Sequence, residues 1–139
     1  MTTRKASASW DGDWKSGKGA MKPDHAAEVP FSAGSRLQAD GGSGPEEMIG
    51  AALAGCYSMA LSHALEQAGT KPESVQTTAT LHFESTKDGL TVPRIDLVTE
   101  VKAAGADAAK FAAIAEDTKN TCLVAKLLTA QVVLTAKLV

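Results

Sequence analysis

The sequence predicts an α+β fold with antiparallel sheets. Two observations carry that prediction. Alternating apolar residues bounded by turn signals occur at both ends of the chain and in its middle, while two other stretches space their apolar residues by three and four. The resulting order is strands, long helix, hairpin, helix, strand, which lacks the strict strand–helix alternation of a doubly wound parallel sheet.

Lys5 to Trp10 reads as a first strand, ended by the turn signal Asp11-Gly12-Asp13. A second strand covers about Lys18 to Lys22. A third is expected over Val29 to Gln38, although Pro30 and Gly34 interrupt it. The glycine-rich break Ala39-Asp40-Gly41-Gly42-Ser43-Gly44 precedes a long helix over about Pro45 to Gln67. Ser43 and Glu46 match an S-x-x-E capping box, and Pro45 suits the first turn. Ile49, Ala52, Leu53, Cys56, Met59, Ala60 and His63 form its expected apolar face, and Gly69 ends it.

Ser74 to Ser85 and Leu90 to Ala103 then read as a hairpin turned by Lys87-Asp88-Gly89. Val75, Thr77, Ala79, Leu81 and Phe83 alternate onto one side. A second helix spans about Asp107 to Asn120, with Phe111, Ile114, Ala115 and Thr118 on one face. Cys122 follows it, and Leu123 to Leu128 adds a short helical turn. The chain closes on a strand, Gln131 to Leu138, in which Val132, Leu134, Ala136 and Leu138 alternate.

Composition narrows the function classes. The 139 residues suit one domain, taken as 1–139. Apolar residues make up 44% but aromatics only 4%, so the core is built mainly from small aliphatic side chains. Each of these buries little area, which favours oligomerisation. A net charge of −2 leaves no basic surplus for nucleic acid or an anionic membrane. No apolar run is expected to reach the roughly 18 residues of a membrane span. The N-terminus has no apolar segment of the secretory kind, so a cytoplasmic location is expected.

The chemistry-bearing residues are few. The two cysteines, Cys56 and Cys122, belong to no CxxC or CxxH motif. By position alone Cys56 reads first as a small buried hydrophobe; the alternative, a reactive thiolate, needs a positive charge nearby. His63 lies seven residues on, about 10 Å along a helix, too far for a Cys–His nucleophile pair. His25, His63 and His82 fall on three elements without ligand spacing, so no metal is expected.

A resemblance ties these residues together. The run Gly44-Pro45-Glu46-Glu47-Met48-Ile49, with Cys56 ten residues beyond Glu46, resembles the cysteine helix of the OsmC/Ohr family of organic hydroperoxide peroxidases. That family carries N-P-E-E/Q-L-I/F followed by a cysteine at this spacing. Ala8 to Asp13 and Lys15 to Gly19 resemble the N-terminal hairpin of the OsmC branch, and Phe31 to Leu37 its arginine-bearing segment. Asn120-Thr121-Cys122-Leu123-Val124 falls where the family has its second cysteine. Gly44 replaces the common Asn, and Leu123 the common Pro.

The resemblance implies an OsmC-like fold, with antiparallel sheets wrapped around long central helices in an intertwined homodimer. It implies a peroxidatic Cys56 that attacks an organic hydroperoxide and becomes a sulfenic acid. Cys122 is then the resolving cysteine, which closes a disulfide with it. Arg36 stabilises the thiolate and orients the peroxide, and Glu46 holds Arg36 through a carboxylate–guanidinium pair. A dithiol of the lipoyl type reduces the disulfide, and no cofactor is required. In an unbroken helix Glu46 and Cys56 are about 15 Å apart. Either the helix breaks near Gly50 or Gly55, or the Arg36–Glu46 pair serves the cysteine of a partner subunit. Two other readings remain open on the same fold: a non-catalytic stress or ligand-binding protein, and a redox sensor.

Overall fold

The computed structural model describes residues 1–37 and 42–139. The chain divides into two compact units, Met1–Ile49 and Gly50–Val139.

In the first unit, β1 (Ala6–Asp11), β2 (Lys18–Pro23) and β3 (Val29–Phe31) form an antiparallel sheet in that order. Gly12 turns β1 toward β2 at φ 96°, a backbone conformation that glycine adopts without strain. Trp10 stacks near Trp14 and tilts against Phe31, giving this sheet its aromatic cluster. The third strand is shorter than expected. It stops at Phe31, and Ala33–Leu37 forms a short helix, α1. The cause is local. Ser32 accepts the Ser35 N–H at its side chain (3.0 Å), and Ser35 accepts the Ser32 N–H at its own (2.8 Å). This reciprocal capping box starts a helix where alternation suggests a strand. Gln38 of the expected strand and residues 39–41 of the glycine-rich break lie outside the described residues.

Helix α2 (Pro45–Gln67) begins with Pro45 in its first turn, and the Met48 N–H reaches the Gly44 carbonyl. The expected capping box is not made. Ser43 donates instead to the Glu47 carboxylate (3.0 Å), while Glu46 turns to Arg36.

The second unit contains most of α2, β4 (Ser74–Thr86), β5 (Gly89–Lys102), α3 (Ala108–Thr121), α4 (Leu123–Leu127) and β6 (Gln131–Leu138). β4 and β5 pair antiparallel as the predicted hairpin. The second sheet is mixed rather than antiparallel as expected: β6 joins β5 in parallel, because α3 and α4 carry the chain across between them. Asp107 caps α3 by accepting the Lys110 N–H. As expected, Phe111, Ala115 and Thr118 turn inward, with Ile114 partly covered.

The core joins Leu53, Tyr57, Leu61 and Leu65 of α2 to Ile95, Leu97 and Val101 of β5, to Phe111 and Ala115 of α3, and to Cys122. The buried stripe of α2 is therefore not the expected one. Ala52, Met59 and His63 are exposed, and Met59 keeps 71% of its surface. Both stripes have helical spacing, and the helix is apolar on nearly every side, so periodicity alone cannot choose between them. Gly50 lets α2 approach β4, since a Cβ there would meet Leu81 Cδ1 at 2.8 Å.

That all-round apolarity also corrects the membrane expectation. Among the described residues α2 is long and apolar enough to cross a membrane, with a mean hydropathy of 1.4 over 18 residues. Alanines and glycines that form no continuous run of large apolar side chains still add up over the whole helix. Core helices reach the same values, and α2 places its leucines on the sheet.

A second deviation lies in β4. Phe83 is 46% exposed instead of inward, because the register with β5 shifts between His82 and Glu84. A bulge of this kind reverses the phase of alternation beyond it.

Candidate functional site

The fold brings the two cysteines together within the second unit. Cys56 sits halfway along α2, partly exposed, one position before the buried Tyr57. Cys122 is buried at the junction of α3 and α4. Its N–H donates to the Thr118 carbonyl (2.8 Å), ending α3, and its carbonyl accepts the Lys126 N–H (3.1 Å), starting α4. Both thiols are free, and Cys56 packs against the core cluster that contains Cys122. Burial pushes the Cys122 thiol above the ordinary thiol value, and the Cys56 side chain adds to that shift. The N–H groups of Ala125 and Val124, presented by the first turn of α4, oppose it.

Tyr57 fixes the spacing of the two helices. Its hydroxyl donates to the Ala115 carbonyl (2.9 Å) in the core. Burial raises the tyrosine pKa strongly, so this hydroxyl stays protonated and remains a donor. A chain of hydroxyls links the next residue to the sheet. Ser58 donates to Thr77 (2.7 Å), and Thr77 and Thr99 lie 2.9 Å apart.

The first unit carries the arginine. Arg36 is on α1, and its guanidinium pairs with Glu46 in the first turn of α2. The Glu46 side chain is only 13% exposed, so the pair is largely withdrawn from water. One carboxylate oxygen, Oε1, meets Arg36; among the described residues the buried Oε2 has no hydrogen-bond partner. Gly44 leaves space for this arrangement. A Cβ at that position would lie 3.3 Å from Glu46 Oε2 and 3.4 Å from the Arg36 Cα. The expected Arg36–Glu46 ion pair is therefore formed. α2 shows no break at Gly50 or Gly55.

Sequence reasoning missed the serine network beside Arg36. Ser35 is buried, and its hydroxyl donates to the Ser43 carbonyl (2.7 Å). The readable signal was the S-x-x-S pattern Ser32–Ser35, a capping box in the middle of an expected strand. His63 is exposed and apart from this chemistry. His82, weighed only as a metal ligand, instead bonds Asp96 (2.7 Å) on the sheet beside Arg94.

The profile of the OsmC-like proteins matches residues 38–137. The chain belongs to the OsmC family. It is 38% identical over 133 residues to the peroxiredoxin OsmC of Escherichia coli K12, covering 94% of this chain and 93% of that protein. The peroxiredoxin OsmC of Shigella flexneri matches to the same extent. The fold agrees with solved OsmC-like proteins at low identity. One from Mycoplasma pneumoniae has a TM-score of 0.81 at 13% identity, covering 99% of this chain and 98% of that one. One of unknown function from Vibrio cholerae has a TM-score of 0.80 at 16% identity, covering 98% and 99%. The α+β, OsmC-like fold read from the sequence is thus the fold of this OsmC family member.

Proposed function

We propose that this chain is a thiol-dependent peroxidase that reduces organic hydroperoxides to alcohols. The observation that carries the reading is that Cys56 packs against the core cluster containing Cys122, which brings two free thiols from distant parts of the chain into one region of the fold. The peroxiredoxin name of relatives matching along nearly the whole chain supports the same reading.

The Cys56 thiolate attacks the distal oxygen of the hydroperoxide. The O–O bond breaks, the alkoxide leaves and takes a proton as the alcohol, and Cys56 becomes a sulfenic acid. The Cys122 sulfur then attacks the sulfenic sulfur. The S–O bond breaks, and the hydroxyl departs as water with the Cys122 proton. Two thiols are oxidised to one disulfide as one peroxide is reduced. A dithiol, of the lipoyl type that the family resemblance implies, reduces the disulfide by exchange and leaves as its own cyclic disulfide. Burial of Cys122 beside Cys56 suits resolution within one chain, without a second protein.

Arg36 is the group proposed to stabilise the thiolate and orient the peroxide, with Glu46 holding its guanidinium. Arginine keeps its charge at any relevant pH, so it does this without exchanging a proton. Because α2 is continuous, the reading that fits is an Arg36–Glu46 pair serving the Cys56 of a second copy in an intertwined homodimer. The exposed apolar residues of α2, Ile49 and Met59, support a copy packed on that face. Residues 1–139 are taken as one working domain, and a reducing, cytoplasmic setting suits two thiols that cycle.

The test is intact mass and free-thiol count on reduced, anaerobic protein given one equivalent of cumene hydroperoxide. Rapid loss of both thiols, with two hydrogens lost per chain, is the expected result. The Cys56→Ser variant should not consume peroxide, and Cys122→Ser should react once and stop as a sulfenic acid. Survival of both thiols in the wild type would overturn the reading.

A further inference from the structure

We infer that Ser35 is a positioning residue for the peroxidase reaction, acting through Arg36. The inference rests on the function proposed above and deepens it.

The Ser35 hydroxyl is the junction of three backbone groups. It accepts the Ser32 N–H (2.8 Å), which starts the helix that carries Arg36. It has one proton to give, and the shorter of its two acceptor contacts is the Ser43 carbonyl at 2.7 Å, against 3.1 Å to the Ser32 carbonyl. Ser43 lies three residues before Glu46, next to the start of α2. One hydroxyl therefore ties the helix bearing the arginine to the segment that leads into the helix bearing its carboxylate. Residues 38–41 separate these two in sequence, so the tie is not local.

The surroundings leave this hydroxyl little freedom. Ser35 is 8% exposed, and a Cβ added at Gly42 would come within 3.0 Å of the Ser35 Cβ. Buried polar groups that lose their partner carry a desolvation penalty, so the segment would rearrange rather than leave the Ser43 carbonyl and the Ser32 N–H unmet. Arg36 is the next residue after Ser35. It has a long, rotamer-rich side chain, and its hold on Glu46 depends on where α1 is placed. Displacement of a charged group by about an ångström is enough to cost a large factor in rate.

The experiment compares Ser35→Ala, Ser35→Thr, Arg36→Ala and the Ser35→Ala/Arg36→Ala double variant. It reads kcat/KM for cumene hydroperoxide with dihydrolipoamide as reductant, and the thermal midpoint as a check on folding. Ser35→Ala should lower kcat/KM by about ten- to a hundredfold. Ser35→Thr, which keeps the hydroxyl, should restore it. In the Arg36→Ala background the serine substitution should cost nothing further, because its effect runs through the arginine. A loss that persists without Arg36, or a Ser35→Ala variant with the wild-type rate, would overturn the inference.

A second readout separates this inference from the peroxidase reading. Phenylglyoxal labelling, located by peptide mass, follows Arg36 apart from Arg4 and Arg94. Labelling of Arg36 should be several-fold faster in Ser35→Ala than in the wild type, and unchanged labelling would sink the positioning role. A wild type without turnover but with this labelling difference would remove the peroxidase function and leave the Ser35 tie standing.

Discussion

The Tyr57 hydroxyl donates to the Ala115 carbonyl across 2.9 Å of buried core, one residue from Cys56 and seven before Cys122. The bond ties the helix that presents the first thiol to the helix that ends at the second. Removing it should disturb the placement of the two thiols more than it weakens the fold. Tyr57→Phe keeps the ring in the core and deletes only the donor. The expected cost is about 1 kcal/mol of stability, a fall of about 3 °C in Tm. Disulfide closure, followed by mass after one equivalent of peroxide, should slow. Closure at the wild-type rate would mean that apolar packing alone sets the spacing.

The raised pKa of Cys122 has a kinetic consequence. In the proposed resolution step the attacking species is the Cys122 thiolate, and burial holds Cys122 above the ordinary thiol value. At neutral pH only a small fraction is ionised, and that fraction grows about tenfold per pH unit until the raised pKa is reached. The closure step, isolated by rapid mixing with excess peroxide, should therefore accelerate from neutral pH into the alkaline range. A closure rate already flat at pH 7 would contradict this assignment of the slow thiol.

Much of this was legible in the sequence because local signals and tertiary demand agree. α3 shows its inner face as Phe111, Ala115 and Thr118, and its cap as Asp107, since one side is apolar and the other charged. The hairpin was legible from alternation and from the turn at Gly89. α2 was legible as a helix but not as an orientation. Its Ala- and Gly-rich surface offers two stripes of equal spacing, and only the sheet it meets selects Leu53, Tyr57, Leu61 and Leu65. The end of β3 depended on two serines capping each other, and the outward turn of Phe83 on a bulge. Neither leaves a trace in hydrophobic period. Within the site, Cys56, Cys122, Arg36 and Glu46 were named from motif resemblance. Ser35 and Tyr57 hydrogen-bond to backbone carbonyls, which no side-chain pattern records.

The unpartnered side of α2 gives a test of assembly. Met59 is 71% exposed on an otherwise apolar helix, a place where a charge is harmless on a monomer and disruptive under a second copy. Met59→Glu should run as a folded monomer in analytical ultracentrifugation, where the wild type, on the proposed assembly, is expected to run as a dimer. Its peroxidase rate should fall with the dimer fraction, because the arginine is proposed to come from the other copy. A fully active Met59→Glu monomer would show that each chain completes its own site.

The outer side of the second sheet carries a pH-dependent tie. Asp96 accepts from His82 (2.7 Å) and from two nitrogens of Arg94 (3.1 Å each), joining β4 to β5 just before the bulge. The hydrogen bond to His82 is the main cause holding the Asp96 carboxyl below its ordinary value, with Arg94 adding to it. A carboxyl whose pKa is lower folded than unfolded binds fewer protons in the native state. Its stabilisation is therefore complete above the unfolded value, near pH 4, and is lost as pH falls through the depressed folded value. Asp96→Asn should melt below the wild type at pH 6. The gap should narrow steadily once the pH drops beneath about 4, where the wild-type carboxylate itself takes up a proton. Thermal scans of both proteins across that range check it, and a gap independent of pH would assign the role of Asp96 to packing rather than charge.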